Sequence, residues 1–446
     1  MKPRTVAFHH FGCKVNFAEA SFLSRQLTEK GYQLSGFQEK ADIYVISSCV
    51  VTATAEKKCR AAIRRAHHLN PDARIAVIGC FPELKPDEIA EMDGVEVVLG
   101  HQGKFDLLEE IEGGCPSPGP SPTREGSKPP SGGLGVPSKI ENLKSKIDFF
   151  PSYSFGDRTR SFLKIQDGCD YHCSYCAIPL ARGKSRSDTI AHILDDAREI
   201  VDLGVKEIVL TGVNIGDFGK HNSETFFQLL SAMEKKIPIP RIRISSIEPD
   251  LLHDDIIDLV AFSKKFLPHF HIPLQSGSDK ILRMMKRKYK KELYADRVNK
   301  IVRVLPHACI AADVIVGFPG ELEEDFQETA AFLEDLPVSY MHVFTYSRRE
   351  NTLAARSTEE IPKASKRHRS EQLHQLSEKK KSAFYQANRR RQVNALFESD
   401  NKEGMMHGFT ENYIKVKTPY DSALTNEIRS VMLDELDEDM CYMVKG

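Results

Sequence analysis

The sequence predicts an α/β protein of three units: an N-terminal open parallel α/β sheet, an incomplete parallel barrel of six β/α repeats, and a small C-terminal β-barrel. Three observations carry this. Short apolar runs alternate with helical patterns through the first 112 residues, six more strand-like runs recur with helices between them from 161 to 345, and four short runs separated by turns close the chain. At 446 residues the chain is too long for one ordinary core, so two to three domains are expected.

Charge is balanced, with Lys+Arg 62 against Asp+Glu 63, so any nucleic-acid affinity must come from local patches. No apolar run reaches the ~18 residues of a membrane span. Polar residues come too early at the N-terminus for a signal peptide. Ten cysteines in that setting point to a reducing cytoplasm, where clustered thiols bind metal more often than they pair.

In the first unit, residues 1–112, strands are expected at 5–11, 43–48, 74–79 and 95–100, with helices at 19–30, 53–68 and 85–91. Cys13, Cys49 and Cys80 each follow directly after a strand, which places them on the sheet edge where open α/β folds keep their ligand crevice. They form a set of three ligands rather than four. Burial is the plainer reading of each one. Cys59 sits within a helix and no strand end delivers it to this edge. Residues 113–140, rich in Pro, Gly and Ser, read as a disordered tether, with Cys115 an ordinary exposed thiol.

The second unit, 141–380, has strands at 161–166, 207–212, 241–246, 268–273, 308–317 and 340–345. After the first comes Cys169-Asp170-Tyr171-His172-Cys173-Ser174-Tyr175-Cys176, a C-x3-C-x2-C loop. Three thiolates hold three corners of a [4Fe–4S] cluster. The next cysteine is Cys309, so one iron is left open to a small molecule. A structural zinc with His172 as fourth ligand is the other reading. The remaining strand ends carry Gly212 and Asn214, Ser246 and Glu248, Gln275, and Gly317 and Glu321. Each is also an ordinary turn or cap residue, Glu321 suiting the start of a helix. Cys309 belongs to an apolar strand.

The last unit, 381–446, follows a helical stretch at 363–391 with ten Lys/Arg against two Glu. Strands are expected at 393–398, 404–410, 413–417 and 429–433, with Cys441 buried. Tyr413, Lys415, Lys417 and Tyr420 are the candidates for contact with nucleic acid, since small barrels combine basic and aromatic surface for it.

The cysteine loop, with Tyr175 before its third Cys, resembles the radical S-adenosylmethionine (SAM) superfamily, in which SAM chelates the open iron. Gly12-Cys13-Lys14-Val15-Asn16, Ser47-Ser48-Cys49-Val50-Val51-Thr52 and Gly79-Cys80 resemble the three signatures of the methylthiotransferase N-terminal domain. The likeness spans nearly the whole chain apart from the linker, which is longer than is usual there. It implies two [4Fe–4S] clusters, one on Cys169, Cys173 and Cys176 and a second, carrying sulfur, on Cys13, Cys49 and Cys80, with Asn16 supporting the loop. It implies SAM as radical source and methyl donor, held by Gly212, Asn214, Ser246, Glu248, Gln275, Gly317 and Glu321, and an RNA-binding, OB-like TRAM domain at the end. The Gly-Cys-Lys-Val-Asn form is similar to the branch acting on N6-threonylcarbamoyladenosine in tRNA. The implied reaction is methylthiolation of its carbon 2 at position 37, on the anticodon loop, by a cytoplasmic monomer served by a reduced flavodoxin-type donor. No side-chain acid or nucleophile attacks such a C–H bond, so cofactor chemistry is required. Isopentenyladenosine in tRNA or a ribosomal protein is the alternative substrate. A non-catalytic iron–sulfur RNA-binding protein is the reading from another class.

Overall fold

The computed structural model describes residues 4–50, 53–113, 149–156 and 158–445. The expected linker with its Cys115 lies outside the described residues apart from Gly113, as do Val51 and Thr52.

Five parallel strands make the N-terminal sheet, in the order Gln33–Ser35, Thr5–His10, Ile43–Ser48, Arg74–Gly79 and Val95–Leu99. Alternation sends Val6, Val45 and Ile78 to one face, into a core with Leu23, Leu27 and Ile111. It sends Ala7, Ile46 and Val77 to the other, against Ile63 and Ala66 of helix Ala53–Leu69. Strand order reverses between Thr5–His10 and Ile43–Ser48, so the crevice at their carboxyl ends receives Cys13 and Cys49. Cys59 is core, fully buried in that second cluster. Two elements go beyond the sequence pattern, the edge strand Gln33–Ser35 and the short helix Cys80–Leu84. The first helix also starts at Lys14 rather than at 19, which makes Cys13 its N-cap residue.

The second unit carries six parallel strands in chain order. Ser161–Lys164, Glu207–Thr211 and Arg241–Ile244 form one sheet, and His269–Gln275, Cys309–Val316 and Tyr340–Thr345 another. A parallel bridge from Ser246 to His271 and the bond from Ile247 N–H to His271 O (3.0 Å) carry the curvature across the two. The free edge of Ser161–Lys164 takes the antiparallel strand Ser152–Tyr153 instead of closing on Tyr340–Thr345, so the barrel is incomplete. Helix Lys14–Glu29 lies across the inward side chains of the first strands, with Phe17 and Ala18 on Phe162 and Val209.

The last unit is a six-stranded sheet, in the order Ile428–Met432, Gln392–Phe397, Met405–Thr410, Lys415–Pro419, Tyr442–Met443 and Glu435–Leu436. It curls around Phe397, Val416 and Tyr442 into a half-barrel rather than a closed one. Cys309 and Cys441 are buried. The boundary expected at 380/381 falls inside a continuous helix, Lys363–Ala387, which gives Leu373 to the barrel core and Tyr385 to the half-barrel core. Arg241 and Arg243, both held by buried Glu207 (2.7 and 2.9 Å), reach the backbone oxygens of Asn394, Phe409, Thr410 and Glu411. Burial alone would raise the Glu207 carboxyl, but Arg243, Arg241 and Arg160 hold it far below its usual range. The half-barrel therefore docks at the amino ends of the barrel strands, opposite the cysteine loop. Among the described residues no helix is long and apolar enough to cross a membrane.

Candidate functional site

The C-x3-C-x2-C loop leaves the first barrel strand through Gly168. Its φ of +67° is left-handed, and a Cβ there would stand 1.9 Å from the Lys184 oxygen, so only glycine fits. The loop is pinned at both ends. Cys169 N–H donates to Gly183 O (3.0 Å), and Ser174 N–H and Oγ donate to Met285 O and Met284 O (3.0 and 2.9 Å). The Cys169 sulfur accepts from Tyr171 N–H (3.4 Å), and the Cys173 sulfur from the Arg287 guanidinium (3.1 Å). Burial pushes the thiols of Cys169 and Cys176 up to about 12, so each stays protonated until a metal displaces its proton.

Beside this loop lies a cavity of about 320 Å³. Asn214, Ser246, Glu248 and Gln275 line it from successive strand ends, with Arg287 and Asp313 beside them. Among the described residues, three buried polar atoms on its wall have no partner: Asn214 Oδ1, Tyr346 OH and Arg349 Nε. A site that orphans buried polar groups is built to have them met by a ligand. Burial pushes the Glu248 carboxyl up to about 7 against the pull of Arg287, which it touches. Gln275 adopts φ +68°, uncommon outside glycine, at a bulge that turns its side chain toward the cavity.

The second triad sits at the N-terminal sheet edge. Gly12 has φ +110°, and a Cβ on it would stand 2.5 Å from that of Cys49. Asn16 ties the two loops by donating to Ser48 O (2.9 Å) and Phe11 O (3.2 Å). Cys80 opens its short helix against Ala177 and Ala181, directly after the other triad. Arg182 joins the two: it donates to the Cys80 sulfur (3.3 Å), to Asn16 Oδ1 and to Asp167 (2.8 Å), two residues before Cys169.

Among the described residues, the groups whose ligand atoms lie within 4.8 Å of one another are His271, Asp313 and His342, and Glu19, His101 and Asp167, neither containing a cysteine.

Residues 163–333 match the model of the radical SAM superfamily, and residues 5–100 that of the uncharacterized protein family UPF0004. A threonylcarbamoyladenosine tRNA methylthiotransferase MtaB of Bacillus subtilis is 40% identical over 419 residues, covering 92% of this chain and 90% of that protein. Its Aquifex aeolicus namesake is 36% identical, covering 92% and 96%. The chain belongs to the tRNA methylthiotransferase family. A tRNA-2-methylthio-N(6)-dimethylallyladenosine synthase of Natranaerobius thermophilus is also similar, at 31% identity over 95% of this chain and 92% of that one. Among solved structures, the radical SAM methyltransferase TsrM of Kitasatospora setae, with cobalamin and a [4Fe–4S] cluster bound, superposes with a TM-score of 0.53. It is 14% identical and covers 79% of this chain and 77% of its own, a likeness of fold.

Set against the sequence, this methylthiotransferase keeps three expected SAM contacts out of the cavity lining. Gly212 is required by crowding, since a Cβ there would stand 2.9 Å from the Gln166 side chain. Gly317 N–H donates to Glu321 (2.6 Å), and Glu321 is claimed by Arg369 (2.7 Å) on helix Lys363–Ala387, so this pair anchors that helix. Arg287 and Asp313 escape the sequence pattern, Arg287 because it stands between Lys286 and Lys288 in a run that reads as surface, Asp313 because it is a single charge in an apolar strand. Tyr413, expected on the RNA surface, instead turns inward: it stacks on Phe409 (4.9 Å) with Arg243 over its ring (4.8 Å). Lys417 is paired with Asp437, whereas Tyr420 is exposed. A Gly168→Ala variant should displace the loop, abolish SAM cleavage and halve bound iron; iron and cleavage at wild-type levels would show that the tight turn is dispensable.

Proposed function

We infer that this chain places –SCH3 on carbon 2 of N6-threonylcarbamoyladenosine at position 37 of tRNA. What carries the reading is the meeting of two open cysteine triads, bridged by Arg182, in a chain 40% identical to a protein named for that reaction. Two [4Fe–4S] clusters and SAM supply the radical and sulfur chemistry when bound. Cys169, Cys173 and Cys176 hold one cluster and Cys13, Cys49 and Cys80 the other. Arg287 and Arg182 donate to a sulfur of each set, favouring the thiolate form. Asn214, Ser246, Glu248 and Gln275 orient SAM, and Ala177, Ala181 and Cys80 pack together where the two sets meet.

The proposed division is 1–112 for the sulfur-carrying domain, 113–140 for a tether, 141–380 for the radical SAM barrel and 381–446 for a TRAM-type RNA-binding domain. Lys415, at the start of strand Lys415–Pro419, and exposed Tyr420, directly after its end, contact the tRNA, whose unpaired anticodon-loop base can reach the site. A cytoplasmic monomer reduced by a flavodoxin-type protein completes the reading. Nucleoside mass spectrometry of tRNA from a strain lacking the gene tests it. 2-Methylthio-N6-threonylcarbamoyladenosine should vanish and return on complementation. An unchanged profile would reject the substrate and turn attention to ribosomal protein.

A further inference from the structure

A second cavity, of about 530 Å³, occupies the amino-end half of the barrel and opens beside Gly12 and Cys13. Four cations line it. Arg160 is bound to Glu398 (2.7 Å) and Arg243 to Glu207 (2.9 Å). Lys14 and Arg158 have no hydrogen bond or ion pair among the described residues, Arg158 resting over the Phe17 and Phe162 rings (4.8 and 5.9 Å). His269 lines the same cavity, is 5% exposed, and has both ring nitrogens unpartnered among the described residues. Phe162 and Tyr340 add flat apolar wall. Leaving buried or half-buried polar groups unmet is costly, and cations left without anions in a partly dry cavity call for an anionic guest. SAM has its own cavity at the opposite, carboxyl end of the strands, among the residues beside the cysteine loop.

We propose that this cavity receives the N6 substituent of the substrate base, and that Lys14 pairs with its carboxylate. The inference rests on the function proposed above. A threonylcarbamoyl group ends in a free carboxylate and bears a hydroxyl and one N–H, the second N–H of the urea being N6 of the base. Lys14 and Arg158 answer the carboxylate, and the His269 ring, one nitrogen a donor and one an acceptor, answers the hydroxyl or amide. An isopentenyl group offers none of these and would leave Lys14 unpaired in the cavity, which is how a polar site rejects an apolar analogue. Lys14 follows Cys13 directly, so one helix start presents a sulfur ligand and reads the substituent. The first turn of Lys14–Glu29 adds its own preference for negative charge. Lys14 is thus a specificity residue, separate from the cluster ligands.

The test uses full-length protein and two anticodon stem-loop RNAs, identical except for N6-threonylcarbamoyladenosine or plain adenosine at position 37, with affinity read by fluorescence anisotropy. Wild type should prefer the modified loop by at least about tenfold, the worth of one charge-assisted bond. Lys14→Gln should lose that preference with affinity for the plain loop unchanged, and Lys14→Arg should keep it. Arg158→Gln, at the exposed rim, should reduce it and serves as the second probe if Lys14→Gln does not purify folded. If Lys14→Gln weakens both loops equally, the lysine meets a phosphate and the proposal is wrong. It is equally wrong if the preference survives in both Gln variants. A wild type that forms the methylthio product yet shows Lys14-independent preference overturns this inference alone. A wild type with neither product nor preference overturns the functional reading beneath it.

Discussion

A Cys169→Ala variant should make no methylthiolated tRNA, release no 5′-deoxyadenosine from SAM, and retain about four of the roughly eight irons that two [4Fe–4S] clusters bring. Cys13→Ala should lose methylthiolation and the same share of iron but continue to cleave SAM. The split follows from the architecture. The Cys169 loop borders the cavity with Asn214, Ser246 and Glu248, whereas Cys13 belongs to the other sheet and faces the cationic cavity. Neither site holds a spare thiol among the described residues, since Cys59, Cys309 and Cys441 are packed into separate cores. A cluster reduced to two protein ligands is therefore not rescued by a neighbour. The expected loss is the full activity in both cases, so the discriminating readings are iron and 5′-deoxyadenosine. Equal SAM cleavage in the two variants would break the assignment of roles, and about one zinc per chain with no iron would replace it with a structural site.

The parts of this site that sequence reveals are those whose geometry is local. Cys169, Cys173 and Cys176 lie on one loop, so their spacing alone carries the ligand pattern. Cys13, Cys49 and Cys80 are legible only because a parallel sheet delivers every strand end to one edge. What stays hidden depends on contacts between units. In helix Lys14–Glu29 every residue from Val15 to Ser21 is buried, because the sheet covers one side and the barrel the other. A helix buried all round has no amphipathic period to read, so the pattern places its start at 19, five residues late. Glu19, Lys104 and Lys164 read as surface charges in isolation, yet all three are buried together between the first two units. Tyr413 misleads in the opposite direction: an aromatic among lysines matches a nucleic-acid surface, but φ +64° at that residue and the stack on Phe409 turn it to the barrel.

That buried interface makes the second large prediction. Glu19 takes bonds from Lys104 (2.5 Å), Lys164 (2.7 Å) and Arg182 (3.1 Å), and Asp167 from Lys164 (2.8 Å), Arg182 (2.8 Å) and Arg186 (3.0 Å). Desolvation alone would raise both carboxyls. The cations around them more than reverse it, Arg182 and Lys104 at Glu19, Lys164 and Arg182 at Asp167, and hold both well below the ordinary carboxylate range. Removing one member strands the others, at a cost of about 3–5 kcal/mol. Glu19→Gln should lower the first thermal unfolding midpoint by several degrees at pH 7 and expose the link between the first two units to limited proteolysis. A depressed carboxyl stabilises above its unfolded value, near 4.3 for Glu, and that contribution drains away as pH falls toward the lower folded value. The gap between wild type and Glu19→Gln should therefore narrow below about pH 4. His101 adds a separate acid-sensitive contribution: burial, with Lys104 beside it, brings it down to about 3, so the folded protein keeps it neutral while the unfolded chain protonates it from about 6.5 downward. A midpoint at pH 7 equal to wild type, or a gap that widens in acid, would mean that the cluster does not hold the units together.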